Sequence, residues 1–262
     1  MKKICRACGT QFPENYHLAL CAICSEERQF IPLSGQRWTT HQELVESHKT
    51  EITEINEYLY EIIITPKFGI GQRAFLVLSE SGNILWDCIP LLDQNIINFI
   101  NQKGGLKAIA ISHPHYYSNM NDWAEEFNCS VYIHSFDKEY VADKGRSIHH
   151  WSGESFKLWD NITIENIGGH FKGSSVLIIS KLSKLGVMLC GDTMYLSPSM
   201  NFFAIMHSYP NRIPLKRTEI LRIKERLSNL SFDTIYGFYS YQNLTENVRK
   251  IVAKSIEQHL SE

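Results

Sequence analysis

Four cysteines crowd into the first 24 residues as two Cys-x2-Cys pairs, Cys5/Cys8 and Cys21/Cys24, with twelve residues between them. Each pair makes a tight knuckle that aims two thiolates at one point, and two knuckles close a tetrahedral four-sulfur site. Gly9, directly after Cys8, suits the positive φ at which such a knuckle turns. A stretch this short cannot bury a core of its own, so it needs a staple, and a metal is that staple. The prediction is a small zinc-binding module over residues 1–30, held through Cys5, Cys8, Cys21 and Cys24. Sulfur takes every position around the metal, so its predicted role is structural.

The rest of the 262-residue chain is ordinary globular material, 44% hydrophobic and 21% charged. Lys and Arg total 26 and Asp and Glu 28, for a net charge of −2. That balance offers no basic excess for a nucleic-acid footprint. The longest apolar stretches, such as Ala74–Leu78 and Val176–Ile179, fall far short of the ~20 residues a membrane span needs. No apolar signal core follows Met1-Lys2-Lys3. The expectation is a cytoplasmic protein whose partner is a small-molecule substrate, with no nucleic acid and no membrane. In a reducing compartment clustered cysteines bind metal rather than pair. Cys88, Cys129 and Cys190 stand alone in apolar surroundings and read as buried small hydrophobes.

Residues 31–50 read as a connector, with Pro32, Ser34 and Gly35 and then a short helix from about Thr40 to His48. From residue 51 to 262 the pattern is that of one larger domain. Glu61–Thr65, Arg73–Leu78 and Ile84–Cys88 are predicted antiparallel strands. Leu92, Ile96, Phe99 and Ile100 share a helical face that Gly104-Gly105 ends. Lys107–Ser112 and Val131–His134 are short strands, and Asn119 is the expected cap of a helix that buries Met120, Trp123, Ala124 and Phe127. Several strands follow over residues 156–190. Pro214 is expected to open a helix, and a last helix to run from about Asn243 to Leu260. Two blocks of strands, each followed by helices, predict two sheets packed together with helices outside.

The chemistry concentrates in Ile109-Ala-Ile-Ser-His113-Pro-His115-Tyr-Tyr-Ser-Asn, where an apolar strand runs into His-x-His. In extended chain, residues i and i+2 point the same way, so both imidazoles reach one metal. By itself that pair does not separate ligands from histidines satisfied by ordinary hydrogen bonds. Two later segments do. Ile167-Gly-Gly-His170 precedes another strand, and Cys190-Gly-Asp192-Thr193 places a carboxylate at the end of the next. Each lies at a strand-to-loop junction, where function collects at one edge of a sheet. Among the other histidines, His207 reads as a pocket residue, and adjacent His149 and His150 face opposite ways.

This order of motifs resembles the metallo-β-lactamase superfamily, whose pattern is His-x-His-x-Asp-His, then Gly-His, Gly-Asp and a final Gly-His. His113 and His115 match the first pair, His170 the third histidine and Asp192 the shared carboxylate. The resemblance implies an α/β (α+β) fold, an αββα sandwich with metal at the edge between its sheets, here preceded by a zinc-ribbon-like module. The departures fall together. The family's Asp and neighbouring His land on Tyr117 and Ser118, and its final Gly-His on Gly237-Phe238. Those three positions build the family's second metal site, so the resemblance implies a branch with one metal.

The function read from this pattern is a metal-dependent hydrolase of a small ester, thioester or amide. His113, His115 and His170 hold one zinc, with Asp192 completing the shell or acting as general base. On the same extended run, Tyr117 is expected to enter the space of the missing second metal, and Tyr117 or Ser118 to donate to the oxyanion. Iron is the other candidate at either site. The sulfur spacing is similar to the rubredoxin-like segment of rubrerythrins, and histidine–carboxylate sites with open positions suit non-haem iron. The alternatives are therefore a mononuclear iron oxygenase of the persulfide dioxygenase kind, or a non-catalytic binding protein stabilised by metal.

Overall fold

Two sheets sort the apolar residues of nearly every strand by simple alternation. The computed structural model describes residues Met1–Ser261. In spatial order, the first sheet holds Ile148–Trp151, Ser130–His134, Ala108–Ala110, Ile84–Trp86, Ala74–Val77, Leu59–Thr65 and Lys49–Asn56. The second holds Ser155–Lys157, Ile162–Asn166, Ser175–Ile179, Val187–Gly191, Thr234–Gly237 and Asn243–Leu244. Phe75, Val77, Ile84, Trp86, Leu177, Ile179, Val187 and Leu189 face the other sheet and form one core between them. Their neighbours point the opposite way. Leu76 and Leu85 meet the helices of the first sheet, and Val176, Ile178, Met188 and Cys190 those of the second. Covered on both faces, the central strands are apolar throughout, as strands between two layers must be.

The helices lie on the two outer faces. Helix α1 (His41–Ser47) is closed by a capping box between Thr40 and Glu43. Helix α2 (Gln94–Gln102) is capped by Asp93, which accepts from the Ile96 N–H at 3.0 Å. These two and α3 (Met120–Glu126) pack Leu44, Ile96, Ile100 and Trp123 against the first sheet. Helices α4 (Arg217–Ser228) and α5 (Val248–Ser261) pack Ile220, Ile223, Leu227, Val252 and Ile256 against the second. The molecule is thus an αββα sandwich. Among the described residues no helix is long and apolar enough to cross a membrane.

Three local expectations give way. Asn119 sits at the start of α3 but makes no capping bond with its side chain. Pro214 belongs to a two-residue strand paired with Met206, and α4 begins only at Arg217. Asn243–Leu244 is an edge strand of the second sheet, and the left-handed backbone of Asn247, φ 53°, separates it from α5.

The cysteine segment forms its own three-stranded sheet, Gln11–Phe12, Lys3–Cys5 and Trp38–Thr39. Residues 31–50 therefore contribute both the third strand of that sheet and α1. The module lies directly against the histidine loop, where the Gln11 N–H donates to the Ser118 carbonyl at 3.0 Å. Gly9, at φ 85°, is required twice over: a Cβ there would meet Pro90 at 2.8 Å.

Candidate metal centres

The histidine centre forms where strand ends of both sheets come within bonding distance. Ser112 follows Ala108–Ala110, and its N–H donates to buried Asp87 at 2.7 Å. Its carbonyl accepts from the Ser175 N–H of the other sheet at 2.9 Å. Gly191 closes the junction at φ 50°. A Cβ there would meet Ser112 Oγ at 2.8 Å, and Asp87 Oδ2 and Tyr116 Cε2 at 3.2 Å each. Past this point the chain delivers Asp192.

His113 is extended, with φ −169° and ψ 170°, and Pro114–Tyr116 then turns as a 3-10 helix. The turn corrects the expectation of an extended run to Tyr117. Pro114 favours an extended residue before it, but its own φ near −65° suits the first position of a helical turn. His115 is brought to the centre by the turn. His170 arrives through Gly168 and Gly169, at φ 77° and 88°. The second lets the backbone pass Ile223, whose Cδ1 would lie 2.9 Å from a Cβ at Gly169.

The three imidazole rings form a near-equilateral triangle, with centroids 5.2, 5.0 and 4.9 Å apart. Candidate ligand atoms of His113, His115, His170 and Asp192 all lie within 4.8 Å of one another. His170 Nδ1 is 2.8 Å from the His207 carbonyl. A carbonyl only accepts, so this nitrogen carries the proton and Nε2 keeps its lone pair. That Nε2 lies 3.2 Å from His115 Nδ1. Two nitrogens about 2.0–2.1 Å from a tetrahedral zinc are ~3.3 Å apart, so the spacing fits one shell. A proton shared between His115 and His170 would satisfy that pair, yet leave His113 Nε2 and His115 Nε2 buried with no partner. A cation gives the His113 nitrogen its partner.

Charge state agrees with this reading. Burial, followed by the neighbouring imidazoles, holds His113 well below the usual histidine range. Burial does the same to His115 and brings His170 down to about 3. All three are neutral at pH 7, the form in which imidazole binds metal. Burial raises Asp192 to about 7, and Tyr116 opposes that rise. A bound cation would return it to carboxylate. Burial also raises Asp87 to about 8, with the nearby Asp192 adding to the shift.

Tyr117 and Ser118 do not reach the centre. The Tyr117 hydroxyl donates to the Asp137 carbonyl at 3.2 Å. Ser118 Oγ donates to the Cys88 carbonyl and accepts from Gln72 Nε2, both at 3.1 Å. Tyr116, the residue before Tyr117, is the one turned toward the centre, because the 3-10 turn rotates each side chain by about a third of a circle. The Tyr116 ring lies 4.2 Å from His113 and stacks on Phe238 at 5.7 Å. The stacked rings of Tyr116 and Phe238 thus close the His113 side of the centre. His207 orients His170 through its carbonyl, while its ring pairs with Glu27 at 2.7 Å. His134 is turned away, to the Gly153 carbonyl. Asp87 escapes a motif reading, although an Asp closing an apolar strand is the same signal that marks Asp192.

In the module, Cys5–Cys24 and Cys8–Cys21 sulfurs are each 3.7 Å apart, and all four residues are buried. A tetrahedral zinc with Zn–S of about 2.3 Å puts sulfurs ~3.8 Å apart. The fit is to a metal shell and not to a disulfide, whose sulfurs are ~2.05 Å apart. Hydrogen bonds from Cys21, Cys24 and Cys8, with Gln36 Nε2 adding one at 3.1 Å, drive the Cys5 thiol far below its usual range. Among the described residues these are the two clusters that gather three or more potential ligands.

No family model matches the chain. It is 39% identical to the "uncharacterized protein YmaE" of Bacillus subtilis, over 99% of this chain and 97% of that one. Among solved structures, VMB-1 superposes with a TM-score of 0.61 at 13% identity, over 81% of this chain and 97% of that one. A metallo-β-lactamase from Pontibacter korlensis gives 0.56 at 12%, over 81% and 98%. The metallo-β-lactamase FIM-1 from Pseudomonas aeruginosa, in its mono-zinc form, gives 0.57 at 14%, over 81% and 97%. At such identities the likeness establishes the fold.

Proposed function

We propose that this chain, which belongs to one family with Bacillus subtilis YmaE and has the metallo-β-lactamase fold, is a hydrolase with one metal in its histidine centre. The observation that carries the reading is the buried, unpartnered Nε2 of His113 within a triangle of neutral imidazoles beside Asp192. Three histidines suit a catalytic zinc and leave its fourth position open beside Asp192. Zinc supplies a bound water with a pKa of about 7 and a Lewis acid for the attacked oxygen.

The chain's own groups do the rest. His207 holds His170 in the tautomer that presents Nε2. Asp192 takes the proton of the attacking water and passes it to the leaving group. Tyr116 faces that carboxylate from a buried position. Tyr209 and Phe171 stand 5.4 and 5.0 Å from the His170 ring. Such walls exclude water and favour a small ester, thioester or amide over a highly charged polymer, in keeping with a soluble, cytoplasmic enzyme of small molecules. Residues 1–30 act as a structural zinc module, joined by residues 31–50 to a catalytic domain over 51–262.

The test pairs metal content with a panel of small ester, thioester and amide substrates. Hydrolysis by the zinc-loaded chain, abolished in His113→Ala and His170→Ala, is the expected result. Iron at the histidine centre with oxygen consumption and no hydrolysis would refute the proposal.

A further inference from the structure

We propose that Arg28 is a positioning residue for the histidine centre, and that the cysteine module sets that centre's metal affinity through the segment Glu26–Gln29. The inference rests on the metal-binding reading above and assigns the module a task beyond its own folding.

The segment begins two residues after Cys24 and crosses to the histidine loops. Arg28 Nε donates to the His170 carbonyl at 2.6 Å. Its guanidinium lies 4.4 Å over the Phe171 ring. Phe171 in turn packs at 5.7, 5.0 and 5.0 Å from the rings of His113, His115 and His170. Glu26 accepts from the same guanidinium and fixes its plane.

The other support of His170 is tied down by the same segment. His207, whose carbonyl fixes the His170 tautomer, pairs through its ring with Glu27 at 2.7 Å. Ser208 Oγ donates to the Arg28 carbonyl at 3.0 Å. Asn211 Nδ2 donates to the Glu27 and Gln29 carbonyls at 2.8 and 2.9 Å. His170 is therefore held at its backbone and at its ring by groups that four consecutive residues of the module anchor. The Arg28 side chain is only 13% exposed, so water does not compete freely for its own bonds to His170 and Glu26.

Partners that orient metal ligands typically change metal affinity by ~10–100-fold when removed. A merely structural Arg28 would alter stability and leave the affinity and spectrum of the remote metal alone. The experiment titrates zinc and cobalt into the full chain against a competing chelator. In the wild type two binding steps are expected, one at the cysteines and one at the histidines. In Arg28→Ala the cysteine step stays unchanged, and the histidine step weakens ~10–100-fold with an altered cobalt absorption spectrum. Arg28→Lys keeps the charge but not the planar fork, and fails to restore either. Added methylguanidinium partly restores both in Arg28→Ala. Asn211→Ala, which cuts the segment elsewhere, moves the histidine step in the same direction and serves if Arg28→Ala does not fold. A histidine step within twofold of wild type and an unchanged spectrum in either folded variant overturn the proposal. A wild type with no histidine step overturns the metal-binding reading instead.

Discussion

Gly191→Ala tests whether the meeting of the two sheets creates the centre. The glycine lies in the left-handed region at φ 50°, and a new methyl would sit 2.8 Å from Ser112 Oγ and 3.2 Å from both Asp87 Oδ2 and Tyr116 Cε2. None of these groups is free to retreat. The Ser112 N–H is bonded to Asp87 at 2.7 Å, its hydroxyl to His113 Nδ1 at 2.9 Å, and Tyr116 is stacked on Phe238. Left-handed strain of ~1–2 kcal/mol and overpacking of ~1–3 kcal/mol give a destabilisation of about 2–5 kcal/mol. For a chain of this size each kcal/mol lowers the midpoint by ~2–4 °C, so a fall of roughly 4–20 °C is expected. The strain also displaces Asp192, the next residue, and lowers metal affinity at the histidine centre. Thermal unfolding by circular dichroism, with and without zinc, reads both effects. A midpoint within 2 °C of wild type together with unchanged zinc binding would refute the reasoning.

Other perturbations separate the parts. Tyr117→Phe removes one buried hydrogen bond, costing about 1 kcal/mol in denaturant unfolding, and leaves turnover near normal. Tyr116→Phe removes the hydroxyl that opposes the rise of Asp192, so in the metal-free chain the Asp192 carboxyl titrates at higher pH, as followed by carboxyl NMR shifts. Asp87, Asp137 and Asp192 have carboxyls raised by burial to about 8, 7 and 7. Between about pH 7 and 8 the histidines are largely neutral in both states, and these carboxyls leave the metal-free folded chain with more protons than the unfolded one, so its stability falls as pH rises; below about pH 6.5 the three histidines that the fold holds neutral oppose that slope. Melting curves of the chelated protein from pH 5 to 8 check the slope, and zinc reduces the loss by stabilising the Asp192 carboxylate. Cys21→Ser removes the module's metal, and the loosened Glu26–Gln29 segment also weakens zinc binding at the histidines in the same chelator titration.

The sandwich is written into short, wholly apolar strands such as Ala74–Val77 and Val187–Gly191, whose alternate residues face different layers once both faces are covered. Its site is written into strand ends, because His113, His170 and Asp192 each follow an apolar run or a glycine pair. Local geometry was the harder part. Pro114 is compatible both with an extended approach and with a helical turn. The choice between them exchanges Tyr117 for Tyr116, and only packing of Tyr116 between His113 and Phe238 decides it. Helix starts at Arg217 and Val248 were displaced by short strand pairings that no local propensity records. Arg28 had no signal at all, and His207 read as a pocket residue with nothing to name its partners. Their roles come from contacts across 142 and 180 positions of chain, Arg28 to His170 and His207 to Glu27.

The most direct measurement is zinc per chain in protein purified without added metal, for the wild type and for His113→Ala/His170→Ala. Two clusters with one ion each predict two zincs in the wild type and one in the variant, with the cysteine site still filled. Three zincs in the wild type, or no loss in the variant, would contradict the single-metal histidine centre.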